Sequence, residues 1–182
     1  MKTNMKYFRL FNAILILSLG FTSCKDPKTV DEKRFSFKND FEGIDGWYAP
    51  NGIIRADSHS GSFAGFANFP QEYGPTFRKR IKDLSKKPLK RIEYSCWIKL
   101  NESKCNPEIV LNIMGKDNAF LFFKSYPVKD FPNEKGEWFE IKGSELIAPE
   151  ASSSNDAEVA FFLWNKSSLQ AFIDDIEIVL IY

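Results

Sequence analysis

The residues able to do chemistry are few and poorly paired for catalysis. The 182-residue chain has one histidine, His59, set in the run Ser58-His59-Ser60-Gly61-Ser62. A single imidazole excludes a His-rich zinc centre and any mechanism that needs two. No Gly-x-Ser-x-Gly elbow offers a serine nucleophile, and neither a phosphate loop nor a Cys-x-x-Cys metal pair occurs. Lys and Arg number 25 against 24 Asp and Glu. That balance argues against nucleic acid as a partner, which needs a clustered basic face. The abundant resource is aromatic instead: 18 Phe, 6 Tyr and 4 Trp.

The elements that must position these side chains are strands. From Phe35 onward, short runs rich in Phe, Ile, Val, Tyr and Trp are divided by Gly, Pro, Asn and Ser clusters, and no stretch carries a 3.6-residue period. The pattern predicts an all-β sandwich. Strands are expected near 35–41, 53–57, 62–69, 76–82, 90–100, 107–114, 119–125, 137–142, 157–164 and 170–181, with a hairpin connection at Gly115-Lys116-Asp117-Asn118. Alternation is clearest over 90–100, where Ile92, Tyr94, Cys96, Ile98 and Leu100 share the core side. Over the last strand the same rule puts Phe172, Asp174, Ile176, Ile178 and Leu180 on the core face, with a carboxylate among them. A buried ionised carboxylate must be neutralised, hydrogen-bonded or bound to a cation. Calcium, which takes six to eight oxygens, is a natural partner.

Several motifs occur in a telling order: Asn39-Asp40-Phe41-Glu42-Gly43, Gly46-Trp47, the Ser58–Ser62 turn, Trp97-Ile98-Lys99, Gly136-Glu137-Trp138 and Phe172-Ile173-Asp174-Asp175-Ile176-Glu177. Together they resemble the galactose-binding-like jelly rolls, which include many carbohydrate-binding modules attached to glycan-degrading enzymes. The resemblance covers residues 35–182 and implies a two-sheet antiparallel β-sandwich. It also implies a structural calcium ion, with side-chain oxygens from Glu42 and Asp174 and carbonyls from the turn at Ser58 to Ser60. Such an ion would staple the chain ends together. The alternative is that Asp174 accepts hydrogen bonds from backbone amides; His59 is then a turn residue.

In jelly-roll order, the strands at 76–82, 107–114, 119–125 and 157–164 form one sheet, whose outer face is the usual place for a long ligand. Period-two alternation puts Arg78, Arg80, Val110, Asn112, Met114, Phe120, Phe122, Phe162 and Trp164 on that face, with Tyr126 at its rim. Sugar rings stack their C–H patches on aromatic rings, and their hydroxyls need fixed amide or guanidinium partners. The strip therefore suits a polysaccharide or oligosaccharide. It equally suits an envelope protein partner, or a loop that folds over and buries it. Only Glu108 and Glu158 bring carboxylates to this face, both at strand ends, whereas glycoside hydrolysis needs two within roughly 5–9.5 Å. The expectation is binding without catalysis. Trp97 projects from the other sheet, where the segment around Trp47-Tyr48 is expected to cover it; Tyr73 and Trp47-Tyr48 sit on connections, where the resemblance implies an alternative, end-on site for chain termini or else turn packing.

The N-terminal segment reads as targeting. Lys2, Lys6 and Arg9 precede an apolar run from Leu10 to Phe21, and Thr22-Ser23 lead into Cys24. This is a secretory layout, too short for a spanning helix. The Phe-Thr-Ser-Cys ending resembles a bacterial lipobox, which would make residues 1–23 a signal peptide and Cys24 the lipidated first residue of the mature chain. Acyl chains there would be the only membrane attachment. Removing 1–23 leaves 22 basic and 24 acidic residues. Residues 24–34 read as a flexible tether, and Lys25-Asp26 resembles surface-export signals of outer-membrane lipoproteins. Cys96 and Cys105 are expected to remain free thiols.

Overall fold

Strand-period burial decides the architecture. A computed structural model of the chain describes residues 32–43, 47–48, 52–55 and 57–182. The segments expected to be a signal peptide and most of a tether, and the lipidation site expected at Cys24, lie outside the described residues. Within them the strands are β1 (Arg34–Asn39), β2 (Trp47–Tyr48), β3 (Ile53–Arg55), β4 (Phe63–Ala67), β5 (Thr76–Arg80), β6 (Arg91–Leu100), β7 (Glu108–Met114), β8 (Phe120–Pro127), β9 (Trp138–Leu146), β10 (Glu158–Trp164) and β11 (Ala171–Ile181). A one-turn helix, α1 (Pro149–Ser153), joins β9 to β10.

The strands form two antiparallel sheets. One runs β3-β4-β11-β6-β9, with β1 also paired to β11; the other runs β2-β5-β10-β7-β8. In β6 every second residue is buried, so Ile92, Tyr94, Cys96, Ile98 and Leu100 face the second sheet as alternation requires. Opposite them, β7 contributes Ile109, Leu111 and Ile113, and β10 contributes Val159, Phe161 and Leu163. Burying each such side chain contributes about 1.5–3 kcal/mol, and this layer holds the two sheets together. Cys96 and Cys105 are buried free thiols.

Two bulges break the alternation, and both fall where chemistry was expected. In β11 the pairing with β6 passes from Asp174 opposite Trp97 to Glu177 opposite Ser95, with Asp175 at φ 44°. One extra residue reverses the parity of everything before it. Ala171 and Ile173 thus join Ile176, Ile178 and Leu180 in the core. Asp174 is fully buried, but on the outer face of its sheet and not between the sheets, which corrects the reading from alternation. In β8 the pairing with β7 passes from Ile113 opposite Phe122 to Met114 opposite Phe120, so Leu121 is the extra residue.

Candidate functional site

The β8 bulge determines which rings reach the outer face of the second sheet. Phe122 sits opposite the core residue Ile113 and packs against the interior, which corrects its assignment to the outer face. Phe123, opposite Asn112, takes its place outside. Phe120 and Phe123 meet edge to face, their centroids 5.5 Å apart at 82°. The run Phe120-Leu121-Phe122-Phe123 is four apolar residues long, which strict alternation cannot distribute between two faces, and that was the available signal. Tyr126 is likewise an inner residue. It packs on the core, 5.8 Å from the Tyr94 ring, and its hydroxyl donates to Glu145 Oε1 at 2.5 Å. Burial and this carboxylate partner push its pKa up.

Phe162 and Trp164 project outward from β10, as alternation predicts. Beside them lies the connection between β4 and β5, pinned along the end of β10: Gly74 N donates to Leu163 O at 2.9 Å, and Asn165 N to Glu72 O at 2.8 Å. This pairing sets Tyr73 against both rings. Its plane is within 2° of Trp164 at 6.2 Å and inclined 68° to Phe162 at 5.7 Å. The Trp164 indole Nε1–H donates to Glu72 Oε2 at 3.3 Å, and Lys166 Nζ sits 3.7 Å over its ring. An aromatic held this way is a preset platform rather than a floppy one.

These rings wall a cleft of about 490 Å³ floored by Val110 and Asn112. Tyr73, Phe120 and Phe123 are 53%, 63% and 48% exposed, whereas Asn112 is only 4% exposed. The Asn112 carboxamide Oδ1 is buried with no hydrogen-bond partner among the described residues. An acceptor left so is costly, by about 1–3 kcal/mol, unless something from outside completes it. The cleft can therefore stack ring faces around one amide side chain that has no hydrogen-bond partner of its own among the described residues.

The predicted arginines share the face but not the cleft. Arg78 and Arg80 project from β5, and Arg78 Nη1 is 3.1 Å from Glu158 Oε1. The two strand carboxylates of the face, Glu108 and Glu158, stand far apart. Glu158 is opposite Met114 and Glu108 is opposite Trp164, six residues along the strands, or about 20 Å at the usual strand rise. The Ser125 hydroxyl donates to Glu108. That separation is too long for the paired acids of a glycosidase.

On the first sheet, the carboxylates expected to bind calcium converge on the Ser58–Ser62 turn. The N–H groups of His59 and Ser60 donate to Asp174 Oδ2 at 2.9 and 3.2 Å, and Asp175 N donates to Oδ1 at 2.8 Å. Glu42 Oε1 accepts from Ser62 N and Phe63 N at 2.5 and 2.9 Å. Gly61, at φ 61°, leaves room for this carboxylate, since a Cβ there would lie 2.3 Å from Oε1. Ser58 Oγ donates to Gly61 O, and Ser60 Oγ to Asp175 Oδ1 at 2.7 Å. Amide hydrogens thus point at the Asp174 and Glu42 oxygens that were expected to hold a cation. The oxygens of Asp174 and Glu42 are thereby engaged by amides, as in the amide alternative for Asp174. The expected outcome is one melting temperature in calcium and in chelator, because an ion bound only to the folded state would raise it.

The same turn covers Trp97. His59 stacks on the indole at 3.7 Å and 13°, with Nδ1 2.5 Å from Asp175 Oδ2, and Trp138 closes the group edge-on at 5.9 Å from His59. Trp47, expected there, packs instead beside Phe41 and Phe77.

No protein-family model matches the chain, and no curated protein matches it. Solved structures do match in fold. The CBM22-1 xylan-binding domain from Paenibacillus barcinonensis Xyn10C is 14% identical with a TM-score of 0.51, over 79% of this chain and 92% of that one. The CBM22-2 xylan-binding domain from the same Xyn10C is 15% identical with a TM-score of 0.53, over 79% and 98%. A further xylan-binding domain from CBM 22, formerly called x6b, is 12% identical with a TM-score of 0.52, over 79% and 93%. The fold is the antiparallel two-sheet jelly roll of carbohydrate-binding modules.

Proposed function

We propose that this protein binds a polysaccharide or oligosaccharide without modifying it, in the cleft walled by Tyr73, Phe120, Phe123, Phe162 and Trp164. The observation that carries the reading is the buried, unpartnered Asn112 Oδ1 on the floor of an exposed aromatic cleft. Stacked sugar C–H faces and one hydroxyl donated to Asn112 would use both features. The fold likeness to xylan-binding domains supports xylan as the first ligand to try. The distance between Glu108 and Glu158 supports the non-catalytic part of the reading. The lipobox-like Cys24 supports attachment to the bacterial outer membrane by acyl chains, with the domain facing outward on its tether.

Retention on immobilised xylan, glucan and mannan tests the proposal. Retention of the purified domain on at least one polymer is expected, and none on any would refute it. Asn112→Ala is expected to weaken retention roughly tenfold, the worth of one well-placed hydrogen bond, with an unchanged circular dichroism spectrum. The competing reading, an envelope protein docked on this face, draws on the exposed Phe120, Leu121 and Phe123 of β8, which ends its sheet. A stoichiometric cross-linked partner that survives excess free sugar would favour it.

A further inference from the structure

The face does not end at Trp164. Beyond the indole, on the side away from Phe162, a second depression of about 320 Å³ is lined by Lys104, Asn106, Glu108, Trp164, Lys166 and Ser167. Trp164 belongs to both hollows. The two differ in chemistry: the first is walled by rings, the second by charged and amide groups.

The charges at this end are unevenly spent. Glu108 accepts the Ser125 hydroxyl, and Glu72 accepts the Trp164 indole N–H. By contrast, Lys104 and Lys166 pair with no carboxylate among the described residues. Lys166 is nevertheless held in place, its ammonium 3.7 Å over the Trp164 ring. A cation–π contact of that kind orients the ammonium without neutralising it. Both carboxylates nearby accept neutral donors, which fix their oxygens and leave their charge in place, while neither ammonium group has a carboxylate within ion-pair distance among the described residues.

We infer that the trench continues past Trp164 into a subsite for a sugar bearing an anionic substituent, a carboxylate or a sulfate, met by Lys104 and Lys166. The inference rests on the glycan reading above and adds to it a ligand class: an acidic polysaccharide or one with acidic branches. A neutral stretch of the chain lies over the aromatic cleft, and the charged unit sits at the lysine end. Asn106 stands beside the lysines to meet its remaining hydroxyls, and Ser167 Oγ, which donates to Asn165 Oδ1 at 2.8 Å, can accept from one.

The test is calorimetric titration of the intact domain with three matched oligosaccharides of the polymer it retains: neutral, uronate-substituted and sulfate-substituted. At least one acidic form is expected to bind about five- to tenfold more tightly than the neutral one, and the arm that gains identifies the substituent. The gain should vanish in the Lys104→Met, Lys166→Met double variant, whose side chains keep their apolar stems, and should shrink as salt rises. Neutral-oligosaccharide affinity should change less than twofold in the Lys104→Met single variant, which keeps the Lys166 contact on Trp164. Equal affinity for all three forms, or a gain that survives the double variant, would overturn the lysine subsite while leaving the aromatic cleft standing. Failure of all three to bind would overturn both.

Discussion

Trp164→Ala is expected to cost about thirtyfold or more in affinity for the retained polysaccharide, the largest loss of any single change on this face. The indole is shared by both hollows, lies parallel to Tyr73 and is fixed by Glu72 and Lys166. Aromatic anchors of this kind carry about 2 kcal/mol or more at binding sites, and about 1.4 kcal/mol is tenfold. Neighbouring phenylalanines sharpen the test. Phe123→Ala should weaken binding several-fold with the fold intact. Phe122→Ala should instead destabilise the domain by about 2–4 kcal/mol, as for a ring lost from the interior, while the folded fraction binds within twofold of wild type. Titration calorimetry and thermal melts on the three variants separate these outcomes. Loss of binding in Phe122→Ala without loss of stability would mean that β8 continues unbulged and that the cleft is built from the other rings.

That pair of phenylalanines also marks where the sequence stops being legible. Ten of the strands and the outward aim of Phe162 and Trp164 follow from a period of two, because β6 and β10 keep it from end to end; the grouping of four of those strands into one sheet follows from the jelly-roll resemblance. Asn112 follows as well, since β7 alternates between core and outer face even though both sides of it are buried. The two-residue strand β2 is too short to show any period. Bulges are a harder matter. A single inserted residue is invisible in composition, yet it reverses every assignment on one side of it. Leu121 did so to Phe122, Phe123 and Tyr126; Asp175 did so to Asp174. Tyr73 was hidden for another reason: its position depends on hydrogen bonds from its connection to the end of β10, far along the chain.

A stability effect as large as that of Phe122→Ala is expected at Asp174. Its carboxylate is fully buried under the Ser58–Ser62 turn and receives N–H donors from His59, Ser60 and Asp175. Burial is the main influence on its proton, and the adjacent Asp175 carboxylate adds to it; the three amides pull the other way. The balance raises the pKa from 3.8 to about 6. The folded state therefore holds a proton that the unfolded chain has already released between those two values. The resulting stabilisation is complete below about pH 4 and is lost as pH rises through 6, a span worth about 3 kcal/mol. Between pH 7 and pH 5 it should yield about 1 kcal/mol, or a melting temperature roughly 2–4 °C higher at the lower pH. Asp174→Asn removes the titrating group and turns an NH₂ toward amide donors that had an oxygen before. It should cost about 2–4 kcal/mol at pH 5, and the gap to wild type should narrow by about 1 kcal/mol at pH 7. Melts of both proteins at the two pH values give the comparison directly, with other titrating groups cancelling in the difference. A variant as stable as wild type, with the same pH dependence, would mean that Asp174 does not anchor the turn that covers Trp97.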